Sequence, residues 1–347
     1  MQPLNVALVG YGYAGKTFHA PLIAAVPELR LAAVVSSRPG AVQADWPQLP
    51  VLASLEQALT DPAIDMVVIA SPNQRHYPQA RAALLAGKHV VVDKPFTVAS
   101  EQARELCLLA ERPDSPLLSV FHNRRWDSDF LALQALLASG ELGALSHFES
   151  HFDRYRPEVR ARWREQDEPG AGLWYDLGPH LLDQALLLLG WPQTIYANLS
   201  RQRAGAQATD YFHVQLGYGK YQAILHGSCL VSGGAPRFSL HGASASYVKF
   251  GLDTQEELLK AGGRPGSSGW GHDSEPGIVY RPPPAVGECR PAPDGDYLEY
   301  YRAVAGAARG QRANPVTARE AWRVISLLEL AERSAVDGRR LFCHPLA

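Results

Sequence analysis

The chain has 347 residues, of which 46% are hydrophobic and 20% are charged, and its formal net charge is -2. A length of this order favours two domains, and the composition is typical of globular proteins that bury an apolar core. The near-neutral charge leaves no global positive field for nucleic acid or for an anionic membrane surface. The four cysteines are widely spaced without a C-x-x-C pair, so they match neither a common zinc site nor a dense disulfide framework.

The N-terminal sequence lacks the parts of a signal peptide, which are a basic segment, an apolar stretch and a small-residue cleavage site. The longest apolar runs, such as 185–189, fall far short of the roughly 20 residues that a membrane-spanning helix needs. We therefore expect a cytoplasmic protein with no membrane partner and no nucleic-acid partner.

Over the first 120 residues, apolar runs typical of buried strands alternate with helical patterns. Strands are predicted over residues 6–9, 31–36, 66–70, 90–92 and 117–121, and helices over 16–25, 76–86 and 100–111. Ser54 is expected to open a further short helix, Gly87 to cap one helix at its C-terminus, and Ser100 to cap the next at its N-terminus. This alternation predicts a doubly wound parallel sheet of the Rossmann type over residues 1–121.

After Phe121 the pattern changes to stretches with two-residue alternation, which predict a large, mostly antiparallel sheet with one open face. Strands are predicted over 146–152, 195–200, 211–216, 221–226 and 246–250, and helices over 130–138, 181–189, 296–308 and 318–335. Residues 262–293 are rich in glycine and proline and are predicted to form a long loop or flap. The fold class is therefore α/β, with a second, α+β domain over 122–347.

The open face of this second sheet would be a large apolar surface if it were left bare. Such faces are usually covered by another subunit, so we expect a homodimer or a homotetramer that is joined through the sheet. A mixture of apolar and polar outward residues would instead allow a monomer, and the sequence leaves both possibilities open.

The first turn reads Gly10-Tyr11-Gly12-Tyr13-Ala14-Gly15, a G-x-G-x-x-G pattern that follows a strand and precedes a helix. The first glycine allows the tight turn, the second lets the backbone approach a pyrophosphate, and the third lets the helix pack on the strand. A plain tight turn is the alternative. The flanking elements and the N-terminal location instead favour dinucleotide binding by this turn.

The end of the second strand reads Ser36-Ser37-Arg38, where NAD-preferring sites usually have an acidic residue that holds the ribose 2′-hydroxyl. A carboxylate would repel a 2′-phosphate, whereas serine and arginine would bind it through charge-assisted hydrogen bonds. These residues favour NADP over NAD. The alternative is that Arg38 is a solvated loop charge.

The segment Asp93-Lys94-Pro95 follows a predicted strand directly. The carboxyl ends of strands in a doubly wound sheet face the ligand crevice, so Lys94 is a candidate functional cation. Pro95 is expected to bias Lys94 toward an extended conformation. A solvated lysine at a strand end is the alternative.

Asp176 and His180 form a D-x-x-x-H pattern ahead of an apolar helix that runs to residue 189. Pro179 is expected in the first turn of that helix, so that Asp176 and His180 flank its start and face one cleft. A histidine beside a carboxylate can act as an acid or a base near neutral pH, and Asp183 could orient the histidine or simply solvate the helix. A lone helical histidine is more often structural, and its combination with the glycine turn and a crevice lysine favours catalysis. We expect no metal at these residues.

These motifs occur in the same order in the Gfo/Idh/MocA family, the glucose–fructose oxidoreductase and inositol dehydrogenase group, and the chain resembles that family over its whole length. It is more particularly similar to a bacterial subgroup that contains NADP-dependent scyllo-inositol dehydrogenase. The likeness is carried by residues 10–12 with 16–19, 91–97, 121–127 and 174–180. Asp93 stands where the family usually has glutamate, a change that the subgroup shares.

The resemblance implies a role for each matching residue. Lys94 would lie near the reacting carbon, Asp176 would bind the substrate hydroxyl or support the histidine, and His180 would exchange a proton with that hydroxyl. The cofactor would also contact a strand-end loop, the residue before the lysine and a later pair, which are Ser71, Pro72, Asn73, His76, Asp93, Trp163 and Arg164. The substrate cleft would be lined by Asn123, Arg124 and Tyr155.

The leading hypothesis is an NADP-preferring dehydrogenase of a sugar or cyclitol, or the reverse carbonyl reductase. The alternatives are a reductase of deoxy or dicarbonyl sugars and a dinucleotide-sensing regulator that keeps the fold without turnover. Retention of Lys94, Asp176 and His180 argues against the regulator, since a pure binder needs none of them. The stretch Trp270-Gly271-His272-Asp273 could be a lid or a partner subunit's contribution to the pocket, and an ordered surface loop is the alternative.

Overall fold

The computed structural model describes residues 2–283 and 286–346. Its helices are α1 (Ala20–Ala25), α2 (Pro39–Asp45), α3 (Leu55–Thr60), α4 (His76–Leu85), α5 (Ser100–Ala110), α6 (Ser128–Ala138), α7 (Gly172–Leu189), α8 (Gln255–Lys260), α9 (Tyr297–Ala308) and α10 (Ala318–Asp337). Its strands are β1 (Leu4–Val9), β2 (Leu29–Val35), β3 (Val51–Leu52), β4 (Met66–Ile69), β5 (His89–Asp93), β6 (Leu118–Phe121), β7 (Leu145–His151), β8 (Thr194–Ser200), β9 (Tyr211–Gly217), β10 (Gln222–Ser228), β11 (Phe238–Gly242), β12 (Ser246–Lys249), β13 (Gly277–Tyr280), β14 (Gly287–Arg290) and β15 (Leu341–Phe342). Short turns of π or 3-10 helix occupy Gly15–His19, Asn73–Arg75, Asn123–Trp126 and Trp163–Glu165.

The chain forms two compact units, each built from segments that are separate in sequence. The first unit takes the chain up to Trp126 together with Thr254–Gly271 and Asp296–Trp322. The second takes Asp127–Asp253, His272–Gly295 and the chain from Arg323 onward. The boundary predicted after residue 121 was based only on the order of elements along the sequence. In the structure, two later segments also belong to the first unit.

The first unit contains a parallel sheet with the strand order β3-β2-β1-β4-β5-β6. The runs Val6–Val9 and Met66–Ile69 in its central strands are continuously buried, as is typical of a parallel sheet covered by helices on both faces. In this doubly wound sheet the order in which strands are added reverses between β1 and β4, and ligands bind outside the strand carboxyl ends at that point. The predicted Rossmann fold is confirmed.

The second unit contains a mixed sheet with the strand order β14-β13-β12-β11-β7-β10-β9-β8-β15. Its neighbouring strands are antiparallel except for β7 and β10, which run parallel. Alternate residues such as Phe148, Phe212 and Leu225 are fully buried, and α7 packs against β9 and β10. The predicted mostly antiparallel sheet is confirmed.

The open face of this second sheet mixes polar and apolar side chains. Its outward positions include Tyr196 and Ile224 together with many polar residues, among them His147, Glu149, His151, His213, Gln215, Gln222 and His226. The expected bare apolar surface is therefore wrong. The sheet gives no purely hydrophobic reason for a second subunit, and the oligomer stays a prediction.

Helix α7 begins at Gly172, well before the predicted start, and the expectation that Pro179 lies in the first helical turn is wrong. Pro179 lies inside the helix, where it has no N–H to donate to the preceding turn. Packing outweighs this loss, since the buried Trp174 donates its indole N–H to the carbonyl of Leu328 at 3.2 Å. Gly178 makes room for this indole, because a Cβ at that position would lie 2.6 Å from it.

The glycine- and proline-rich stretch 262–293 is more ordered than predicted. Strands β13 and β14 form an antiparallel hairpin at the edge of the second sheet, so a continuous loop is wrong. Trp270 is buried and donates to the side chain of Gln255 at 3.1 Å, within the first unit. Asp273 forms a buried ion pair with Lys249 at 2.9 Å, within the second unit. These contacts favour an ordered packing role for residues 270–273.

Two of the three predicted helix caps are confirmed. Ser54 accepts a hydrogen bond from the backbone of Gln57 at 3.4 Å, and Gly87 ends its helix with φ +77°. Ser100 is instead the first residue of α5, whose N-cap is Ala99, and its hydroxyl accepts from the indole of Trp322 at 3.1 Å. Among the helices of the described residues, none is both long and apolar enough to cross a membrane.

Candidate active site

The glycine turn at the carboxyl end of β1 contains three glycines, and the structure gives a different reason for each. A Cβ at Gly10 would lie 2.6 Å from the carbonyl oxygen of Ala70, and a Cβ at Gly15 would clash with the carbonyl of Gly10. The protein's own packing therefore requires both. A Cβ at Gly12 would meet no atom within 4 Å, so packing leaves this glycine unexplained. Open space beside the Gly12 backbone fits the close approach of a pyrophosphate.

The end of β2 carries an arginine that is tied to the same turn. The Arg38 guanidinium donates to the carbonyl of Tyr11 at 2.9 Å, and the Arg38 backbone N–H donates to the Ser36 hydroxyl at 3.1 Å. Ser37 and Arg38 are exposed. The arrangement holds a cation and two hydroxyls beside the turn, where a ribose 2′-phosphate would be neutralised.

A carboxylate bonded to the glycine turn is already paired. Asp45 accepts from the Tyr11 hydroxyl at 2.9 Å and forms an ion pair with Lys16 at 2.8 Å. The hydrogen bond from Lys16 lowers the pKa of Asp45 and keeps it ionised. Because Lys16 balances this charge, Asp45 adds little repulsion toward a phosphate.

The loop after β4 contains the predicted cofactor contacts Ser71, Pro72, Asn73 and His76. His76 is buried, and its two ring nitrogens lie 2.8 Å from the carbonyl oxygen of Pro95 and 2.9 Å from that of Ser71. Burial lowers the pKa of His76, and the charge of Asp93 opposes that shift. The ring therefore lies between two strand-end loops, and in its neutral form it donates to one of these two carbonyl oxygens.

Lys94 follows β5, and its backbone is held by the preceding carboxylate. Asp93 is buried and accepts from the Lys94 backbone N–H at 2.8 Å, with the His19 imidazole 3.8 Å away. Burial raises the pKa of Asp93, but the interactions with His19 and Lys94 outweigh it and lower the pKa. Asp93 therefore stays ionised and fixes the start of the Lys94 turn.

Arg124, predicted to line the substrate cleft, forms a buried ion pair with Glu256 of α8 at 2.7 Å. Glu256 also accepts from the Tyr13 hydroxyl of the glycine turn at 2.8 Å. The sequence around Glu256 gave no signal that it pairs with Arg124, since the two residues lie 132 positions apart. The pair braces the glycine turn and so supports the cofactor side of the first unit.

Replacing Glu256 with glutamine is expected to lower the free energy of unfolding at neutral pH by about 2 kcal/mol, because it removes the carboxylate charge 2.7 Å from the buried Arg124 guanidinium. Burial raises the pKa of Glu256, but the Arg124 charge outweighs it and lowers the pKa to about 2. The stabilisation is therefore present above the unfolded value of 4.5 and is lost as the pH falls toward 2. Urea unfolding of both proteins from pH 7 to pH 3 should show the difference shrinking. A pH-independent difference would contradict the ion pair.

In the second unit, Asp176 and His180 lie one turn apart on α7, so both project from one face of the helix. His180 and Asp183 are buried, and the Asp176 side chain is 23% exposed, 3.6 Å from the Arg154 guanidinium. The longer helix thus carries both residues, whereas the prediction placed them on either side of the helix start. Tyr175 anchors the same turn through its hydroxyl, which donates to Glu332 at 3.2 Å.

Asp176 lies in a small pocket of about 20 Å³ that arginines dominate. The lining arginines are Arg154, Arg156, Arg162, Arg164 and Arg203. Arg203 is paired with Asp210 at 2.9 Å and with Glu165, which also pairs with Arg162 at 2.8 Å.

The remaining arginines carry most of the pocket's unbalanced charge. Among the described residues, Arg156 and Arg164 have no carboxylate oxygen within 4 Å, and Arg164 stacks over the ring of Trp163 at 5.0 Å. Burial and the neighbouring charge of Arg154 lower the pKa of Arg156. The pocket therefore has a local excess of positive charge beside Asp176.

The structure places the predicted residues in two groups. The first unit holds the glycine turn, Arg38, the loop after β4, Lys94 and the 123–126 turn. The second holds Asp176 and His180 together with Trp163, Arg164 and the exposed Tyr155. The arginine pocket was missed apart from Arg164, although five arginines between residues 154 and 164 were a visible signal.

Comparison with known proteins matches both halves of the chain to one family. Residues 4–122 match the Gfo/Idh/MocA description "Oxidoreductase family, NAD-binding Rossmann fold", and residues 134–341 match its "C-terminal alpha/beta domain". The chain is 52% identical to the uncharacterized oxidoreductase YdgJ of Escherichia coli K12 over 334 residues, which are 96% of each chain. It is 40% identical to scyllo-inositol 2-dehydrogenase (NADP(+)) IolW of Bacillus subtilis 168 over 342 residues, which are 97% of this chain and 95% of the relative. A crystal structure of a Klebsiella pneumoniae protein, 49% identical, superposes with a TM-score of 0.93 over 100% of this chain and 96% of the other.

Proposed function

Because the chain belongs to the Gfo/Idh/MocA oxidoreductase family, we propose that it is an NADP-preferring dehydrogenase or reductase acting on a hydroxyl-bearing carbon of a sugar or cyclitol. The observation that carries the proposal is the placement of Asp176 and His180 one turn apart on α7, with Asp176 lining a pocket. A dinucleotide turn and a strand-end lysine in the same chain support it. The relative IolW, whose name gives a cyclitol and NADP, supports the substrate class.

Most of the residues that would hold NADP are those of the first unit, and the pair Trp163 and Arg164 belongs to the second. The backbone at Gly12 would receive the pyrophosphate, and Ser36, Ser37 and Arg38 would bind the ribose 2′-phosphate. When bound, the nicotinamide accepts or donates the hydride. The protein's part is to hold the ring and the substrate in register and to manage the proton.

The proton chemistry falls to three side chains. As an alcohol is oxidised, its oxygen loses a proton, which the neutral His180 imidazole accepts. Asp176 hydrogen-bonds the hydroxyl or stabilises the imidazolium that forms, and the Lys94 ammonium stabilises negative charge that develops on the oxygen. Carbonyl reduction uses the same groups in reverse.

The arginine pocket favours a negatively charged sugar within this class. Arg156 and Arg164 have no carboxylate partner within 4 Å among the described residues, and an anionic substituent would balance them as their ion pairs balance Arg162 and Arg203. We therefore infer a carboxylate or phosphate on the preferred substrate.

The test is absorbance at the reduced-nicotinamide band, with NADP or NAD and matched neutral and anionic substrates. The pairs would be glucose with glucuronate, glucose with glucose 6-phosphate, and inositol with inositol monophosphate, together with dicarbonyl sugars for the reductase alternative. Turnover with any member supports the dehydrogenase, and preference for the anionic members supports the role of the arginines. Turnover with neutral members alone would reject the anionic substrate and keep the dehydrogenase. Tight NADP binding without turnover would favour the regulator.

Replacing Arg38 with alanine is expected to lower the preference for NADP over NAD by about 10- to 100-fold, because one charge-assisted contact to the 2′-phosphate is lost. Dissociation constants for both cofactors, measured by protein fluorescence, give the ratio. Arg30 is an exposed arginine on β2, the strand that precedes Arg38, and it is bonded to Asn5 at 2.8 Å; Arg30→Ala is the matched control. An unchanged ratio in Arg38→Ala would mean that Arg38 is only a solvated charge.

We also propose that the chain assembles as a homodimer or homotetramer through the open sheet face. Outward residues such as Tyr196 and Ile224 support it, although polar positions dominate the middle of the face. Sedimentation of the purified protein measures the mass. A monomer at micromolar concentration would reject this assembly.

A further inference from the structure

The open face of the second sheet gathers histidines from neighbouring strands. His147 and His151 lie on β7, His226 on β10, His213 on β9 and His241 on β11. The register pairs His226 with His151 on one side and with His213 on the other. No part of the proposed hydride transfer uses these side chains.

Three residues of this face bring possible metal ligands together. One ligand atom from each of His151, Asp153 and His226 lies within 4.8 Å of the others. The Asp153 carboxylate lies 3.4 Å from His151 Nδ1 and 3.3 Å from His226 Nε2. A tetrahedral zinc ion with bonds of about 2.0–2.1 Å separates its ligand atoms by about 3.3–3.4 Å. The two carboxylate distances, one to each Asp153 oxygen, are of this size, and all three ligand atoms lie within 4.8 Å of one another.

The Asp153 carboxylate has no satisfying hydrogen bond. Its side chain is only 6% exposed, and both of its oxygens and His151 Nδ1 are buried without a hydrogen-bond partner. Among the described residues, no lysine or arginine lies within 4 Å of Asp153. A buried carboxylate left in this condition is unfavourable unless a cation or a proton lies against it.

Glu149 binds Nε2 of His151, which leaves Nδ1 as the nitrogen that faces the Asp153 carboxylate. Glu149 accepts from His151 Nε2 at 3.0 Å, and its other oxygen accepts from His147 at 2.8 Å. A neutral His151 that donates from Nε2 presents a lone pair at Nδ1 toward Asp153. In protein zinc sites, a histidine that binds the metal through one nitrogen usually donates a hydrogen bond from the other nitrogen to a carboxylate.

We propose that His151, Asp153 and His226 bind one divalent transition-metal ion, with zinc as the best fit to two imidazoles and a carboxylate. Water or an incoming ligand would complete the coordination. The site adjoins the arginine pocket in sequence, because the residue after Asp153 is Arg154, which lines that pocket. The ion would therefore fix the segment that carries Arg154 toward Asp176.

The test is zinc and cobalt titration of the full chain, freed of any purification tag and treated with a chelator. Competition with a chromophoric chelator gives the zinc affinity, and cobalt absorption reports the coordination. We expect one equivalent per chain. The variants His226→Gln and Asp153→Asn should each weaken binding at least about tenfold, and Glu149→Gln by about 10- to 100-fold.

The control is His241→Gln, which removes an exposed histidine of the same face outside the cluster and should leave the affinity unchanged. Unfolding midpoints of the metal-free variants show whether each is folded, and His226→Gln alone suffices if Asp153→Asn is not. The proposal is overturned by the absence of saturable binding. It is equally overturned by an affinity that survives in His226→Gln or that falls as much in His241→Gln, since surface histidines in general would then hold the ion.

Discussion

Replacing His180 with glutamine is expected to lower kcat/KM by about 10²- to 10⁴-fold, because the substrate hydroxyl then has no base to receive its proton. The NADP dissociation constant should stay within a few-fold of the native value, since the glycine turn and Arg38 belong to the first unit and His180 to the second. Steady-state kinetics with the best substrate of the panel, together with cofactor binding by fluorescence, measure both quantities.

The matched control is His213→Gln, which makes the same change at a histidine of the second unit on the sheet's open face. It should leave kcat/KM unchanged. In His180→Ala, added imidazole should restore part of the lost rate if the ring works as a base rather than as packing. Native activity in His180→Gln, or a loss that imidazole leaves untouched while the fold also weakens, would point to a structural histidine.

The fold of the first unit could be predicted because each central strand is a continuous apolar run. Runs such as Val90–Val92 are buried on both faces, so composition alone marks them as parallel strands. The start of α7 could not be predicted in this way. Pro179 and Gly178 look like helix breakers locally, and the contact that overrides them, Trp174 with Leu328, joins segments 154 residues apart.

Strands at the edge of the second sheet were missed for a related reason. Strand β14, Gly287–Arg290, is mostly exposed and carries no apolar alternation, so its pairing with β13 leaves little trace in its own sequence. The glycines and prolines around it are equally typical of a loop. The formation of an edge strand depends on the strand that it pairs with. The residues of the edge strand alone do not reveal that pairing.

The residues of the candidate site also differ in how far the sequence could predict them. The glycine turn, the residues at the end of β2 and the Asp176–His180 pair have fixed local spacings, which a motif can carry. The ion pair of Arg124 with Glu256 could not be predicted in this way, because only the fold brings these two residues together. The cluster of His151, Asp153 and His226 was likewise invisible, since a parallel pairing of β7 with β10 brings together residues that no spacing rule connects.

Replacing Lys94 with methionine is expected to lower kcat by about 10²- to 10³-fold, the loss typical of removing one group that stabilises charge on oxygen in the transition state. Methionine keeps the length of the side chain, and Asp93 still holds the backbone N–H at this position, so the fold should persist. Lys220→Met, at an exposed lysine in the turn before β10, is the control and should have no effect.

The isotope effect separates the two roles that Lys94 could have. If its ammonium stabilises the reacting oxygen, Lys94→Met slows the hydride step itself, and deuterium at the reacting carbon should give a larger effect on kcat than in the native enzyme. If the lysine only holds the cofactor, the NADP dissociation constant should rise while kcat at saturating NADP and its isotope effect stay native. That second pattern would remove Lys94 from the chemistry and leave His180 and Asp176 to carry it.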